Sequence, residues 1–300
     1  SHGMRVAIMC DVPGIVTSGT DDISKLSAGF KAYNSANADA PIYGIHFDVE
    51  PQTYADTKYT EAQLKTYLTR MLPQVEEYLL HEGIYTEICM NPTWNNGSAL
   101  KYTPKYATAD GTTTEITGFY NIWTKVLGGG RGCIANMAYR TQGGSYIYGR
   151  ADEGNPDKLY TLCKTNNCDT VIGMECTAGE GSTVSIPDWT SSKGISNERN
   201  YVSQLCEELM QLIVKDNLQS YSGIGLHHAK SVYALKGTLT EKPSWVTGQQ
   251  SGTTASTTKT TTKATNIRNN KTKSLLIHQN FHHIQGEYQP LLLLLFLEHL

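Results

Sequence analysis

The sequence predicts an α/β fold in which a parallel sheet is built from alternating strands and helices. Apolar strand patterns and amphipathic helical patterns follow one another from residue 5 to residue 228, and this alternation is typical of parallel β/α architecture. No glycine-rich phosphate loop follows the first strand, which disfavours a doubly wound open sheet. Strict alternation of apolar and polar side chains over residues 42–51 favours a barrel-like fold.

The predicted strands are apolar runs bounded by loops. They cover residues 5–12, 42–50, 85–91, 133–140, 170–175 and 223–228. A closed barrel of this class has eight strands. Because only six are visible, the sequence predicts a TIM-barrel-like (β/α) fold that lacks the first two strands or hides two of them.

The predicted helices lie between these strands. The first begins near residues 20–22, where Thr or Asp can act as the N-cap. The segment 60–81 has a clear helical stripe that ends at Gly83; its members are Leu64, Tyr67, Leu68, Met71, Val75, Tyr78 and Leu79. A long loop is predicted over 92–115, and further helices are predicted over 119–127, 157–163 and 197–215.

The amino-acid composition and net charge disfavour some classes of binding partner and favour others. The net charge of −3 leaves no basic footprint, which disfavours binding to nucleic acid or to an anionic membrane. The 18 tyrosines and only 25 Lys and Arg residues suit a neutral, hydroxyl-rich ligand better than a phosphorylated one. Composition therefore favours a neutral, hydroxyl-rich ligand, and no cofactor is predicted.

The predicted domain organisation has three parts. Residues 5–240 form the barrel-like domain, residues 248–265 a Ser/Thr-rich linker, and residues 266–300 an unstructured or non-native tail. The leucine-rich run at 291–297 is shorter than the roughly 20 apolar residues that a bilayer-spanning helix needs. The first four residues look like a remnant of tag cleavage. Separately, we expect an extracellular or secreted protein.

The seven cysteines do not form a paired C-x-x-C metal pattern. Most lie within apolar patterns and are interpreted as small buried thiols. Cys163 and Cys168 flank a short polar loop that could close into a disulfide, so the redox compartment stays open.

The strand over 42–50 supplies the first candidate site residues. Its alternation directs Ile45, Phe47 and Val49 towards the outer helices; the opposite face carries His46, Asp48 and Glu50. Glu50 lies at the carboxyl end of the strand, just before Pro51. Barrels of this class keep their chemistry at that end.

These motifs resemble a known group of enzymes. Glu50 is followed by Pro51, and Glu175 ends a strand three steps further on. This arrangement resembles that of the retaining glycoside hydrolases of the large (β/α)8 clan. In that clan the acid/base Glu ends the fourth strand and the nucleophilic Glu ends the seventh. The chain has Val49 where the clan has Asn before the acid/base Glu.

A closer resemblance is to a group of largely uncharacterised glycosidase-like barrel proteins. It is carried by the segments 44–51, 137–140, 172–175 and 225–228 and covers residues 5–236. The resemblance implies that the first visible strand is strand three of a barrel. On that count the barrel is incomplete, and its open sheet edges are expected to favour association.

The resemblance implies double displacement at a glycosidic bond. Glu175 would attack the anomeric carbon, while Glu50 would protonate the leaving oxygen and then activate water, with the two carboxyl groups about 5 to 5.5 Å apart. Asp48 lies one inward step below Glu50 and could raise its proton affinity through like charge. The structural alternative is that these carboxylates only end strands and bind helix or loop donors.

Two other functions stay open. Asp48, Glu50 and Tyr139 resemble the residues of family 18 chitinases and endo-N-acetylglucosaminidases, in which the substrate's own N-acetyl group attacks. Arg140 stands where that family usually has Asp. The third hypothesis is a carbohydrate-binding barrel without activity, since fold alone does not establish catalysis.

The remaining polar and aromatic candidates are assigned to substrate binding. They are His46, Asn91, Trp94, Tyr139, Arg140 and His227. Structural roles compete in each case: Tyr139 can pack at the rim, Arg140 can neutralise carboxylates, and Trp94 can plug the core. His228 is expected to face the helices. No metal is predicted, because compact His-x-His or His-Glu-x-x-His spacing is missing.

Overall fold

The computed structural model describes residues 6–11, 13–16, 22–50, 61–91, 94, 99–151, 159–218, 222–239 and 292–295. The predicted linker over 248–265 lies outside them. The strands that they form are β1 (Ala7–Cys10), β2 (Gly44–Phe47), β3 (Tyr85–Met90), β4 (Lys101–Tyr102), β5 (Ile116–Thr117), β6 (Gly132–Asn136), β7 (Asp169–Glu175), β8 (Ser222–His227) and β9 (Leu292–Leu295).

The main sheet is parallel and has the strand order β1-β2-β3-β6-β7-β8-β9. Its first six strands curl into a half-barrel. The curl brings the Tyr85 hydroxyl on β3 within 2.7 Å of Asp169 Oδ2 on β7, across the intervening β6. The predicted α/β class and the predicted order of six parallel strands are confirmed.

Helices follow most of these strands. They are α1 (Ile23–Ala36), α2 (Glu61–Thr66), α3 (Leu72–Val75), α4 (Phe119–Val126), α5 (Gly144–Ala151), α6 (Leu159–Asn166), α7 (Ile186–Ser192), α8 (Glu198–Lys215) and α9 (Ala229–Ala234). The predicted cap of the first helix is Asp22, whose side chain accepts a hydrogen bond from the Ser24 amide at 2.9 Å. No helix of the described part is long and apolar enough to cross a membrane.

The alternation in β2 and the three residues after it separates two environments as predicted. Ile45, Phe47 and Val49 are buried in the large apolar cluster that also contains residues of α2, α3 and α4. His46 instead contacts Glu87 of β3 on the inner face of the sheet. The helix side therefore supplies the apolar core, and the inner face is available for polar side chains.

The helical segment after β2 contains two π-helical turns, Tyr67–Met71 and Glu76–Leu80, on either side of α3. Pro73 lies near the start of α3, and a proline ring excludes the carbonyl four residues earlier from ordinary helical geometry. Each wider turn shifts the following residues around the helix axis. Tyr78 is consequently exposed, contrary to the predicted stripe, whereas Glu76 is buried.

Several short elements were not predicted. The loop expected over 92–115 contains β4, which pairs antiparallel with β5. The helices α5, α7 and α9 were also missed. Their eight, seven and six residues are too few for an amphipathic period to stand out.

The edges of the sheet also differ from the expectation. The strand that ends at His227 was predicted to lie at an edge, but β9 pairs with it in parallel between Gly223 and Leu226. These four residues belong to the segment 266–300 that was predicted as a tail. An open parallel edge offers unpaired backbone donors and acceptors, which a further strand can satisfy. The other end of the sheet is β1.

All seven cysteines are free thiols, including Cys163 and Cys168. The backbone amide of Cys168 donates to the carbonyl of Cys163 at 2.9 Å. Burial raises the pKa of the Cys168 thiol, with a hydrogen bond to Cys163 as the next contribution. The two cysteines are therefore joined by a backbone hydrogen bond and form no disulfide.

Gly132 provides a test of strand packing, because a Cβ atom there would collide with the Thr86 carbonyl oxygen and with Leu127. We expect Gly132→Ala to lower the free energy of unfolding by about 1 to 3 kcal/mol, the usual cost of overpacking. Gly29→Ala is the matched control, since Gly29 lies in α1 with open space around it. It should stabilise by up to about 1 kcal/mol through helix propensity. Urea unfolding measures both, and equal effects would contradict the packing described.

Candidate functional site

The candidate site lies at the carboxyl edge of the half-barrel. Glu175 is the last residue of β7, and His227 is the last residue of β8. Glu50 and Tyr139 each follow their strands, β2 and β6, by three residues. Because the strands are parallel, their carboxyl ends meet at one edge of the sheet.

Glu175 is buried and held from two sides. His227 Nδ1 lies 2.6 Å from Glu175 Oε2, and the Thr177 amide donates to Glu175 Oε1 at 2.5 Å. Glu175 and His227 are opposite each other in the pairing of β7 with β8. Only 4% of the glutamate surface is exposed, so these two donors replace the water that it has lost.

The ionisation of Glu175 reflects a competition between burial and hydrogen bonding. Burial raises the pKa of Glu175, but the hydrogen bonds from His227 and Thr177 lower it more, and the net pKa lies below the ordinary value of 4.5. The group is therefore held as a carboxylate. An ionised carboxylate with a fixed orientation is suited to act as a nucleophile.

Tyr139 packs beside this pair. Its ring centroid is 5.8 Å from that of His227, and the two planes are 27° apart. Gly173 of β7 makes room for the ring, because a Cβ there would lie 2.9 Å from Tyr139 Cε1. The absence of a side chain at this position thus lets the phenol lie over β7, next to Glu175.

The phenol of Tyr139 is influenced by carboxylates from two distant strands. Burial raises its pKa well above the ordinary value, and the charges of Glu175, Asp48 and Glu50 raise it further. Charges interact more strongly in the low-dielectric interior of a protein than in water. The Tyr139 phenol is therefore electrostatically coupled to the three carboxylates that the sequence assigns to catalysis.

His46 lies deeper on the inner face. Its side chain is 2% exposed, with Nδ1 at 3.0 Å from Glu87 Oε2 and Nε2 at 3.2 Å from Cys89 Sγ. The predicted inward direction of His46 is confirmed. Its two ring nitrogens contact protein groups, which makes it a support for the site rather than a surface open to ligand.

Two other candidates for substrate binding lie near the edge of the sheet. Arg140 Nη1 donates to the Tyr139 carbonyl at 2.6 Å and is half-buried. The Asn91 carbonyl accepts from the Tyr120 hydroxyl at 2.7 Å. Both residues follow strands of the sheet.

Trp94 has a different environment from the one assigned to it. Its surface is 0% exposed, and its ring lies in the apolar cluster with centroids 5.7 Å from Tyr67 and 5.9 Å from Phe119. A side chain enclosed in this way cannot offer a stacking face to a sugar ring. The competing interpretation from the sequence, a tryptophan that plugs the core, fits this position.

His228 lies beside His227, with the two ring centroids 5.8 Å apart, and also contacts α9. Its Nδ1 lies 3.0 Å from the Ser231 hydroxyl in α9, and Ser231 is 3.2 Å from the Thr177 hydroxyl. Thr177, which also donates to Glu175, thereby ties the end of β7 to the start of α9. His228 acts as a structural contact at this junction.

The sequence did not identify Glu87, Cys89 or Thr177. Glu87 and Cys89 alternate along β3 in the same way as His46 and Asp48 alternate along the chain after β2. That alternation was the available signal, but the surrounding apolar residues masked it. Thr177 acts through its backbone amide, which carries no signal in the sequence.

In the described part of the chain, no group of three or more His, Cys, Asp or Glu side chains is arranged to hold a metal ion. Comparison with known protein families, with curated proteins and with solved structures found no match. The geometry of the inner face is thus the basis for any functional proposal.

The lowered pKa of Glu175 predicts a specific dependence of stability on pH. The folded protein binds the proton less tightly than the unfolded chain, so the stabilisation by ionised Glu175 is complete above the ordinary value of 4.5 and is lost as pH falls through the folded-state pKa. Glu175→Gln cannot ionise. We expect the difference in unfolding free energy between wild type and this variant to grow with rising pH across that window and then to level off.

Denaturant unfolding at a series of pH values measures this difference. Glu180→Gln is the control, since Glu180 is exposed in the loop that follows β7. A wild-type profile that runs parallel to that of Glu175→Gln throughout the acid range would contradict the hydrogen bonding described for Glu175.

Proposed function

We propose that this protein is a glycoside hydrolase that acts through two carboxylates with retention of configuration. The observation that carries the proposal is the placement of two acids at one edge of the half-barrel: Glu175 ends β7, and Glu50 follows β2 by three residues at the same carboxyl edge of the parallel sheet. Two carboxyl groups that flank one bound sugar are what this reaction needs. The proposal includes the finer fold: the strands β1 to β8 of the main sheet would be strands three to eight of a (β/α)8 barrel.

In this mechanism Glu175 attacks the anomeric carbon. Its hydrogen bonds with His227 and Thr177 keep the carboxylate charged and fix its direction. A nucleophile that is already ionised needs no general base. The bond to the leaving oxygen breaks as the bond from Glu175 Oε to the anomeric carbon forms.

Glu50 would be the acid/base residue. It would give its proton to the leaving oxygen in the first step. In the second step it would take a proton from water as the water oxygen bonds to the anomeric carbon and the bond to Glu175 breaks, so that both carboxyl groups return to their starting states. Asp48, two residues earlier on the same face, supplies a like charge that favours the protonated form of Glu50 before reaction. Glu50 is half-buried, which fits a group that must contact both substrate and water.

We expect an uncharged substrate because of the acidic side chains on the inner face. The inner face presents several carboxylates and few cations, which disfavours a phosphorylated ligand. A carbohydrate substrate, action outside the cell, and no requirement for nucleic acid or membrane are parts of the same proposal.

A second mechanism has one observation in its favour. Asp48 and Glu50 both act on the Tyr139 phenol, and an Asp, Glu and Tyr in one site suit attack by the N-acetyl group of the substrate itself. Glu175 would then have no covalent role. The two mechanisms therefore differ in their need for the Glu175 carboxylate.

The test is hydrolysis of a panel of aryl glycosides and natural glycans, including N-acetylglucosamine oligomers. We expect Glu175→Gln to lose at least about a hundredfold in kcat/KM on every substrate. Glu50→Gln should lose as much with poor leaving groups and less with activated aryl groups, which depart without protonation. Glu180→Gln should match wild type. The anomer formed first, followed by NMR, should have the configuration of the substrate.

Three results would contradict the proposal. Full activity of Glu175→Gln together with loss in Glu50→Gln would favour the substrate-assisted mechanism. Inversion of configuration would remove the covalent step. Binding of glycans by wild type with no hydrolysis of any of them would indicate a carbohydrate-binding barrel.

A further inference from the structure

A cavity of about 160 Å³ lies at the amino edge of the half-barrel, at the other end of the strands from the proposed active site. Arg131 directly precedes β6, and His81 lies shortly before β3. Because the strands are parallel, their amino ends meet at one edge of the sheet. The residues that line the cavity are Glu76, Leu80, His81, Tyr106, Ala107 and Arg131.

Arg131 brings to this cavity a positive charge whose hydrogen bonds are incomplete. Its Nε donates to the Gly128 carbonyl at 3.0 Å. Its Nη2 is buried and has no hydrogen-bond partner in the part of the chain that the structure describes. Burial lowers the pKa of the guanidinium, although the charge of Glu76 opposes this effect. A buried donor on a charged group costs free energy when it lacks an acceptor, and an acceptor bound in the cavity would remove that cost.

Glu76 also lines the cavity, but other donors engage its carboxyl group. The Tyr102 hydroxyl donates to Glu76 Oε2, and the Lys105 amide donates to the same oxygen at 3.3 Å. Glu76 is 3% exposed, and its burial raises its pKa despite these hydrogen bonds and the charge of Arg131. Glu76 therefore interacts with Arg131 through charge, while Nη2 receives no hydrogen-bond acceptor from it.

The rest of the lining is aliphatic or aromatic. Leu80 and Ala107 contribute aliphatic carbon. The rings of His81 and Tyr106 are stacked, with centroids 4.2 Å apart and planes 10° apart. The Tyr106 hydroxyl donates to Glu77 Oε2 at 2.8 Å, which satisfies the polar end of that ring. The cavity thus combines a charged donor with walls that are mostly carbon.

We propose that this cavity binds a short-chain monocarboxylate, with the carboxylate on the Arg131 guanidinium and the alkyl chain against Leu80 and Ala107. A planar guanidinium matches a carboxylate in both shape and charge. A protein cavity of about 150 Å³ accommodates benzene, so the 160 Å³ available here suits a ligand of about six non-hydrogen atoms. Butyrate is of that size. The proposal does not depend on the proposed glycoside hydrolase function.

The charges in the cavity favour a monoanion over other small ligands. Glu76 shares the cavity, so a dianion such as phosphate would be repelled more strongly than a monoanion. A neutral amide offers an acceptor to Nη2 but leaves the buried charge of Arg131 uncompensated. A carboxylate supplies both the acceptor and the opposite charge. We therefore expect butyrate to be preferred over butyramide, which has the same shape, and over inorganic phosphate.

The first experiment is an NMR titration of ¹⁵N-labelled full-length protein with butyrate, butyramide and inorganic phosphate. We expect butyrate to bind at least about tenfold more tightly than butyramide, the scale of one hydrogen bond to a charged group. Phosphate should bind more weakly than butyrate. The backbone amide signals of His81, Tyr106 and Ala107 should shift on addition of butyrate, because these residues line the cavity.

The second experiment repeats the titration with variants. Arg131→Gln removes the charge and should bind butyrate and butyramide equally. Arg131→Lys keeps the charge but loses the planar pair of donors, so it should retain a smaller preference for butyrate; it serves if Arg131→Gln fails to fold. Lys31→Gln is the matched control, because it also removes one positive charge. Lys31 is exposed, pairs with Glu82 at 2.6 Å and does not line the cavity, so this variant should match wild type.

Several results would overturn the proposal, and the titration of wild type alone can give three of them. No binding of butyrate in the millimolar range would mean that the cavity holds water only. Equal binding of butyrate and butyramide would remove the role of charge, and tighter binding of phosphate would indicate an inorganic anion site. A full preference for butyrate in Arg131→Gln would place the ligand elsewhere. None of these results depends on whether the protein hydrolyses a glycoside.

Discussion

Two buried glutamate–histidine pairs constrain the whole sheet. His46 is opposite Glu87 between β2 and β3, and Glu175 is opposite His227 between β7 and β8. A shift of either strand by one residue would turn the histidine to the other face of the sheet. The glutamate would then be buried without a partner, which costs several kcal/mol. The pairs therefore fix the register at both sides of the half-barrel, and the positions of all other inner side chains follow from that register.

The two glutamate–histidine pairs lie at different depths in the sheet. His46 is 2% exposed and lies within the sheet, whereas His227 is 18% exposed and lies at the carboxyl edge. The deeper pair is enclosed within the sheet. In the outer pair the Glu175 side chain is 5% exposed, and His227 is the more accessible partner. Pairing with a histidine on the neighbouring strand thus compensates the burial of an acid at two different depths.

The sequence was informative where a residue's direction follows from strand geometry. Alternation placed His46, Asp48 and Glu50 on one face and Ile45, Phe47 and Val49 on the other, and a glutamate at the end of a strand pointed to Glu175. It was uninformative where geometry depends on distant parts of the chain. Trp94 was assigned to the ligand because a loop position says nothing of the cluster that encloses it. Glu87 and Cys89 escaped notice because their importance depends on a neighbouring strand.

The acidic side chains of the inner face also give it a negative charge, which bears on the proposed chemistry. Even with Glu50 protonated before the proposed reaction, the acids Asp48, Glu87 and Glu175 outnumber the imidazoles of His46 and His227, and Arg140 donates to a backbone carbonyl. A surplus of negative charge in a partly dry site disfavours anions and stabilises positive charge that develops during a reaction. Under the proposed glycoside hydrolase function, the reaction passes through a state that resembles an oxocarbenium ion. The acids of the inner face would stabilise the positive charge of that state, provided that each acid is held in its place.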